Sequence, residues 1–464
     1  MLLSQHLRSA EYGSYATNQA FITISDWVQL FRSDGHFQDD ANYNHLAVFV
    51  HEYLHYLHNF STVSGFVDFL TWVRLARLFT HTVGLDGKSR GSDVLSEAQR
   101  RELRQLRLWQ RSLNGDIRPA EPMFAGVADN RLRMVAVEQR ALNIDLPGDP
   151  LNVPDVELKI GLVDGPEETV VRFGMIALLE GLALEVDRVV AGGPAGVPGP
   201  LDDVPAFPYR LARKVLRHMS GQEFPTEIFI RVSLLALCSA APAQRFLEIA
   251  TQLAGASEVT IKDIVAKIEE ADRSKRNGAI DAVLTHDLPT VIGCFAGRGK
   301  ISVGAELFNR NFRFYLVKRQ SEPFFDLDAF LPTINPDQLS KLLQTSPPCP
   351  LLQKEVANAD DERTPVFWFG EFEAGLDANQ AEEGLGTLQG FLTFMATHVR
   401  GDIFEPTDRL PLRGCRYFAC CGAPFRDEHP DLCMTRPWSS FDPQTNAHCW
   451  YGSGVAAARG RTDL

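Results

Sequence analysis

The chain has 464 residues and a mass of 51.7 kDa, more than one ordinary hydrophobic core holds, so we expect two or three packed subdomains. Hydrophobic residues make up 45% and charged residues 23% of the chain, a balance that excludes intrinsic disorder. The formal charge of −13 argues against binding nucleic acid by broad phosphate neutralisation. No apolar run approaches the roughly 20 residues of a membrane-spanning helix, and no secretory signal pattern opens the chain. The sequence therefore predicts a cytoplasmic protein that has neither a membrane nor a nucleic acid as partner.

The periodicity of apolar residues predicts a mainly helical α+β protein. A strand is expected within 20–32, a hairpin around the Asp-Gly turn in 131–172, and another strand at 366–373. The expected helices, in chain order, cover 42–60, 66–83, 96–113, 174–191, 225–240, 243–253, 259–275 and 385–399. The Gly- and Pro-rich stretch between 192 and 205 is typical of a loop or linker.

The sequence His51-Glu52-Tyr53-Leu54-His55 lies in the middle of the helix expected at 42–60. Residues four apart project from one helical face, so both imidazoles can bind a single Zn²⁺. The carboxylate of Glu52 can then take a proton from the water that zinc acidifies and pass it to a leaving amine. The alternative without a metal is a buried helix with two hydrogen-bonded histidines and an accidental glutamate. Each buried polar group needs a partner, and a metal ion supplies one, which favours the metal site.

A catalytic zinc site needs a third protein ligand. His58 lies near the same face as His51, and Asp68 and His81 lie on the following helix, but nothing local marks any of them as a ligand. Glu180 is a stronger candidate, because it is a carboxylate in a wholly apolar helix in which Gly181 and Ala183 allow another helix to approach closely.

The two motifs together resemble the gluzincin class of zinc metallopeptidases, in which a second helix, often reading Glu-Gly-x-Ala, brings a glutamate to the two histidines. The resemblance covers about a dozen residues, and the gap between His55 and Glu180 is longer than in the best-known members. It implies His51, His55 and Glu180 as zinc ligands, with Glu52 as general base and then general acid. Glu185 could orient a ligand imidazole, with an ion pair to Arg188 at the surface as a nearly equal alternative.

Peptide hydrolysis also needs a donor for the oxyanion. Tyr53, Tyr56, His58 and Tyr209 are conceivable donors, and the sequence does not choose among them.

Five of the eight cysteines fall in the last 50 residues, together with His429 and His448. They could close a structural zinc site, for example from Cys415, Cys420 or Cys421, Cys433, and one of His429 or Cys449. Buried free thiols are an equal alternative, because no pair has the two-residue spacing of a zinc ribbon or finger.

These patterns predict a zincin-like metallohydrolase domain at 1–192, a helical lobe at 205–400 and a Cys/His-rich segment at 401–464. The expected function is zinc-dependent hydrolysis of a peptide or protein substrate, with one catalytic ion and a possible second, structural one. The alternative is a non-catalytic zinc-binding scaffold or adaptor with a degenerate metallopeptidase fold.

Overall fold

The structure is a computed structural model of the chain. It describes residues 13–15, 21–25, 30, 42–116, 121–124, 127–147, 149–193, 206–354, 366–370, 378–418, 420–441 and 449–459. The architecture is mainly helical α+β, and this confirms the fold class expected from the sequence.

The helices of the described residues range from single turns to seven turns. In chain order they are α1 (Tyr43–Ser61), α2 (Val63–Thr80), α3 (Glu97–Asn114), α4 (Glu121–Phe124), α5 (Met175–Ala191), α6 (Leu211–Ser220), α7 (Thr226–Leu237), α8 (Pro242–Gln252), α9 (Glu258–Ala282), α10 (Leu288–Gly293), α11 (Lys300–Ser321), α12 (Pro336–Thr345), α13 (Ala378–His398), α14 (Pro424–Glu428), α15 (Pro430–Thr435) and α16 (Trp450–Ala458).

The strands form three small sheets. They are β1 (Gly13–Tyr15), β2 (Ile22–Ser25), β3 (Leu132–Leu146), β4 (Asp149–Leu162), β5 (Glu168–Phe173), β6 (Cys349–Lys354), β7 (Val366–Phe369), β8 (Val399–Arg400) and β9 (Ile403–Phe404). The first sheet has the order β1-β2-β6-β7, with β2 parallel to β6, and β3-β4-β5 form an antiparallel meander. The pairing of β2 with β6 joins segments more than 300 residues apart, and the β8-β9 pair completes the set.

Helix α1 lies at the centre of the packing. Every residue from Leu46 to Ser61 is buried, and the helix contacts α2, α5 and α11. On the α11 side, the ring of Phe60 lies 5.2 Å from that of Phe308 and 4.8 Å from that of Phe312. A helix that is covered on all sides must find partners for its polar residues inside the protein.

Most of the expected elements are present with ends shifted by a few residues. The hairpin forms between β4 and β5 around Asp164-Gly165, and β3 extends it to three strands. The largest omission is α11, a 22-residue helix in contact with α1. Most of the expected linker, 194–205, lies outside the described residues, and the division into domains stays a prediction. Within the described part of the chain, no helix is long and apolar enough to cross a membrane.

A buried ionic network fixes the end of α1 to α11. Nε2 of His58 lies 2.7 Å from Oδ2 of Asp326, and Arg319 donates to both Asp326 oxygens at 2.6 and 3.0 Å. Arg319 also donates to the hydroxyl of Ser61 at 2.7 Å. Burial raises the pKa of Asp326, but Arg319 and His58 outweigh burial and hold that pKa well below its usual range.

Asp326→Asn should destabilise the fold strongly, because it leaves the fully buried Arg319 charge without its counterion. We expect the free energy of unfolding to fall by about 3–5 kcal/mol in denaturant titrations near neutral pH. The folded-state pKa of Asp326 is depressed, so its contribution is present above the unfolded value near 4 and is lost as pH falls below that value. The difference between wild type and variant should therefore shrink in acid.

Asp408→Asn is the matched control, since Asp408 forms an exposed pair with Lys88 at 3.4 Å. It should leave the unfolding midpoint nearly unchanged. Equal midpoints for the two variants would contradict a stabilising role for the network.

Candidate metal centre

Helix α1 holds His51, Glu52 and His55 in a fixed position. At its first residue, the side chain of Asn42 accepts a hydrogen bond from the backbone N–H of Asn44 at 2.9 Å. At its end, the hydroxyl of Thr62 donates to the carbonyl of His58 at 2.7 Å. Both ends of the helix are therefore satisfied locally, and the helix presents a rigid face to α5.

Helix α5 brings Glu180 to that face. Gly181 lies on a different face of α5, the one that packs against α6 and α7. A Cβ atom at this position would lie 3.2 Å from the Phe229 ring and 3.2 Å from the carbonyl oxygen of Tyr209. The small residue therefore does allow a close approach, as the sequence predicts, and it lets the segment before α6 lie against α5 near the centre.

The three predicted ligands converge. One nitrogen from each of His51 and His55 and one oxygen of Glu180 lie within 4.8 Å of one another, close enough to bind a single metal ion. Oε2 of Glu180 is 3.4 Å from Nε2 of His51 and 3.7 Å from Nε2 of His55. The two imidazole rings stand nearly perpendicular, with centroids 4.8 Å apart. Among the described residues, this is the one group of three or more potential ligands with this proximity.

The three predicted ligands differ in exposure. The Glu180 side chain is 25% exposed, while those of His51 and His55 are 7% and 9% exposed. Solvent therefore contacts the centre at Glu180, whereas the two histidines are buried.

The charges of the centre favour a cation. Burial lowers the pKa of His51, but the nearby carboxylates of Asp187, Glu180 and Glu52 raise it well above its ordinary value. Burial raises the pKa of Glu180, but His55 and His51 hold it well below its usual range. Burial raises the pKa of Glu52, and the two histidines oppose this only in part. Three carboxyl groups thus surround two imidazoles, and a metal ion would balance them.

Asp187 is a carboxylate beside the centre that the sequence analysis does not single out. Its Oδ2 lies 3.8 Å from Nδ1 of His51, on the opposite edge of the ring from Glu180. Asp187 follows Glu180 by seven residues, or two helical turns, so the spacing alone indicates that both side chains lie on the same face of α5. A carboxylate at the second nitrogen of a ligand histidine fixes the ring orientation and strengthens the ligand.

Glu185 does not take that position in the structure. It accepts hydrogen bonds from Arg188 at 2.7 Å, Arg213 at 3.0 Å and Thr226 at 2.9 Å. The alternative expectation, an ion pair with Arg188, is present, but it is buried rather than at the surface, since Glu185 is 2% exposed. Glu185 therefore joins α5 to α6 and α7.

The other ligand candidates have different contacts. His58 pairs with Asp326, and Asp68 accepts a hydrogen bond from Asn114 at 2.7 Å. His81 caps the end of α2 and is exposed.

Among the conceivable oxyanion donors, the structure places Tyr209 beside the centre. Its ring lies 6.3 Å from the ring of His51. Tyr56 donates to the carbonyl of Pro348 at 3.2 Å, and Tyr53 stacks on Phe49 with centroids 5.7 Å apart. These two tyrosines belong to the packing around α1.

The C-terminal cysteines do not form a ligand group comparable to the histidine centre within the described part of the chain. Cys415, Cys421, Cys433 and Cys449 nevertheless line one cavity, whereas the thiol of Cys420 donates to the carbonyl of Tyr417 at 3.5 Å. His429 is exposed, and His448 lies outside the described residues.

Comparisons with protein-family models, curated protein sequences and solved structures give no significant match to this chain. The functional argument therefore depends on the site itself.

Glu180→Ala should remove metal binding, because it deletes one of three ligands. Loss of a hydrogen-bond partner of a ligand costs roughly 10–100-fold in metal affinity, so loss of a direct ligand should weaken binding by more than about 100-fold. Competition with a chromophoric chelator measures the affinity. Glu97→Gln, at an exposed position on α3, is the control and should keep the affinity.

Asp187→Asn should lower the metal affinity by roughly 10–100-fold without changing the number of ions bound at saturation. The amide preserves the shape of the side chain but removes the charge beside Nδ1 of His51. An affinity equal to that of wild type in the same chelator competition would show that Asp187 does not support the ligand.

Proposed function

We propose that the protein is a zinc-dependent hydrolase that cleaves peptide bonds. One observation carries the proposal: two histidines four residues apart on α1 and a glutamate from α5 converge within 4.8 Å. Glu52, a buried carboxyl group, is adjacent to the first histidine in sequence. This is the arrangement that the resemblance to gluzincins implies.

The residues fit zinc. Two imidazole nitrogens and one carboxylate oxygen form a ligand set that zinc accepts, and three protein ligands leave a position for water or substrate. The side chain of Glu180 is partly exposed, so the centre is in contact with solvent. The same ligand types also serve ferrous iron, but the buried carboxyl group of Glu52 beside the ligands favours hydrolysis, since it supplies a proton acceptor.

Each group at the centre has its own role in the proposed reaction. Zinc, when bound, supplies the Lewis acidity that lowers the pKa of water and polarises the substrate carbonyl. The carboxylate of Glu52 accepts the proton of the attacking water and returns it to the leaving nitrogen. Asp187 holds the imidazole of His51 in position, and Tyr209, whose ring lies 6.3 Å from that of His51, is the candidate donor to the oxyanion.

The alternative is a zinc-binding scaffold without catalysis. The three-ligand set of the centre favours an enzyme, because a purely structural zinc site is closed by a fourth protein ligand. His58 and Asp68, the residues considered for such a closure, have partners elsewhere. We place the enzyme in the cytoplasm, where the free thiols of its eight cysteines would persist.

Glu52→Gln should abolish turnover while the metal stays bound, because glutamine keeps the size of the side chain but cannot accept a proton. We expect a loss of about 10²–10⁴-fold in kcat, the usual contribution of a general base. The assay would use zinc-loaded protein on denatured casein and on a mixed fluorogenic peptide library, with metal content measured on the same samples. Glu97→Gln, at an exposed position on α3, is the control and should leave both quantities unchanged.

Full activity of the Glu52→Gln variant would refute the proposed mechanism. A metal-loaded wild-type protein that cleaves neither substrate would support the scaffold. Iron rather than zinc in the purified protein, by mass spectrometry, would contradict the assignment of the metal.

A further inference from the structure

The C-terminal segment contains a cluster of four thiols, hereafter the thiol cluster, made of Cys415, Cys421, Cys433 and Cys449. The first two lie on either side of a turn, Cys433 is in α15, and Cys449 immediately precedes α16. All four line one cavity of about 10 Å³. A space of that size holds about one water molecule or one ion, and no larger ligand.

The neighbouring thiols affect one another. Burial raises the pKa of Cys415 well above its ordinary value, and the proximity of Cys421, Cys449 and Cys433 adds to this. Burial also raises the pKa of Cys433 to about 11, with contributions from Cys449 and Cys421. In the backbone, the N–H of Cys415 donates to the carbonyl of Cys433 at 2.7 Å, which holds two of the four segments together.

Cys420 is outside the cluster, although it is adjacent to Cys421 in sequence. Burial raises its pKa to about 12, and Cys421 is the one cysteine that contributes to that shift. Its thiol donates to the carbonyl of Tyr417 instead of facing the cavity. The structure therefore separates two neighbours that the sequence could not distinguish.

Groups around the cavity are suited to stabilise thiolates. The N–H of Gly452, in the first turn of α16, donates to Sγ of Cys449 at 3.2 Å. The backbone at Tyr417 makes a hydrogen bond that lowers the pKa of Cys415. The guanidinium of Arg426, whose residue lines the same cavity, lowers the pKa of Cys433. These contacts oppose the effect of burial only in part, since the pKa values of Cys415 and Cys433 remain raised, so a bound metal ion would have to displace the thiol protons.

We propose that Cys415, Cys421, Cys433 and Cys449 bind a structural zinc ion through four sulfur ligands. Four soft ligands around one ion-sized space are the set that zinc prefers in closed sites. On binding, the four thiols become thiolates and release four protons to solvent, while no electron is transferred. Among the described residues, the four sulfurs do not form a group as close as the histidine centre, so binding would require their side chains to turn toward the cavity.

The ion would stabilise a segment that has little regular structure. Helices α14, α15 and α16 contain five, six and nine residues, too few to be stable without tertiary contacts. The cluster connects α15 and the start of α16 to the chain after β9, and α16 packs on α13. The zinc ion would therefore hold α16 in place against the helical core.

The test counts metal ions and identifies their ligands. Zinc-loaded and desalted wild type should contain two ions per chain by mass spectrometry, and Glu180→Ala should contain one. A double variant, Cys421→Ser with Cys433→Ser, should also contain one. A matched double variant, Cys294→Ser with Cys420→Ser, removes two thiols outside the cluster and should keep two.

Cobalt substitution provides a measurement that does not depend on the cysteine variants folding. Wild type and Glu180→Ala loaded with Co²⁺ should both show a near-ultraviolet thiolate-to-cobalt charge-transfer band. One ion per wild-type chain without that band would overturn the proposal, as would equal metal content in the two double variants. Disulfides among the four cysteines after anaerobic purification would also overturn it. None of these results tests the histidine centre. If the histidine centre does not bind metal, wild type and Glu180→Ala will contain the same number of ions per chain.

Discussion

The rest of the structure depends on the need to satisfy the polar side chains of a helix that is buried on all sides. Helix α1 carries His51, Glu52, His55 and His58 into the core, and each buried polar group without a partner costs about 1–3 kcal/mol. Two separate parts of the chain supply partners for these polar groups. Helix α5 supplies carboxylates to the first part of α1, while Asp326 and Arg319 supply a closed ionic network to its end. The first set brings three potential metal ligands together, so it can bind a cation. The second set pairs Arg319 and His58 with Asp326 and serves stability.

The three acidic residues of α5 show how position on a helix determines the role of a carboxylate. Glu180 and Asp187 are two turns apart on the face toward α1, and they contact opposite edges of the His51 ring. Glu185 lies on another face, where Arg188 and Arg213 neutralise it. All three are acidic residues of one apolar helix. The residues that surround each carboxylate determine whether it faces the metal centre or pairs with arginines.

Local signals explain what the sequence could predict. The spacing of His51 and His55 is fixed by the helical repeat, and an unexplained carboxylate in an apolar helix singled out Glu180. Helices with strong periodicity were located to within a few residues. Contacts between distant parts of the chain have no such signal. The parallel pairing of β2 with β6, the packing of α11 on α1 and the partnership of His58 with Asp326 join residues more than 240 positions apart. The seven-residue spacing places Asp187 on the face of Glu180, but the partners that Glu185 finds in Arg213 and Thr226 depend on where α6 and α7 lie, which the sequence of α5 does not contain.

The thiol cluster and the histidine centre are connected by packing that leaves little freedom of movement. Trp450, directly after Cys449, lies against Gly386 and Gly390 of α13, where a Cβ atom at either glycine would collide with it. On another face of α13, Gly384 meets Gly304 of α11 with no room for a side chain. Helix α11 in turn presents Phe308 and Phe312 to Phe60 of α1. Contacts between backbones cannot adjust by changing rotamers, so a displacement of α16 must move α13 or create a void. The proposed structural ion would therefore help to keep α11 against the helix that carries His51 and His55.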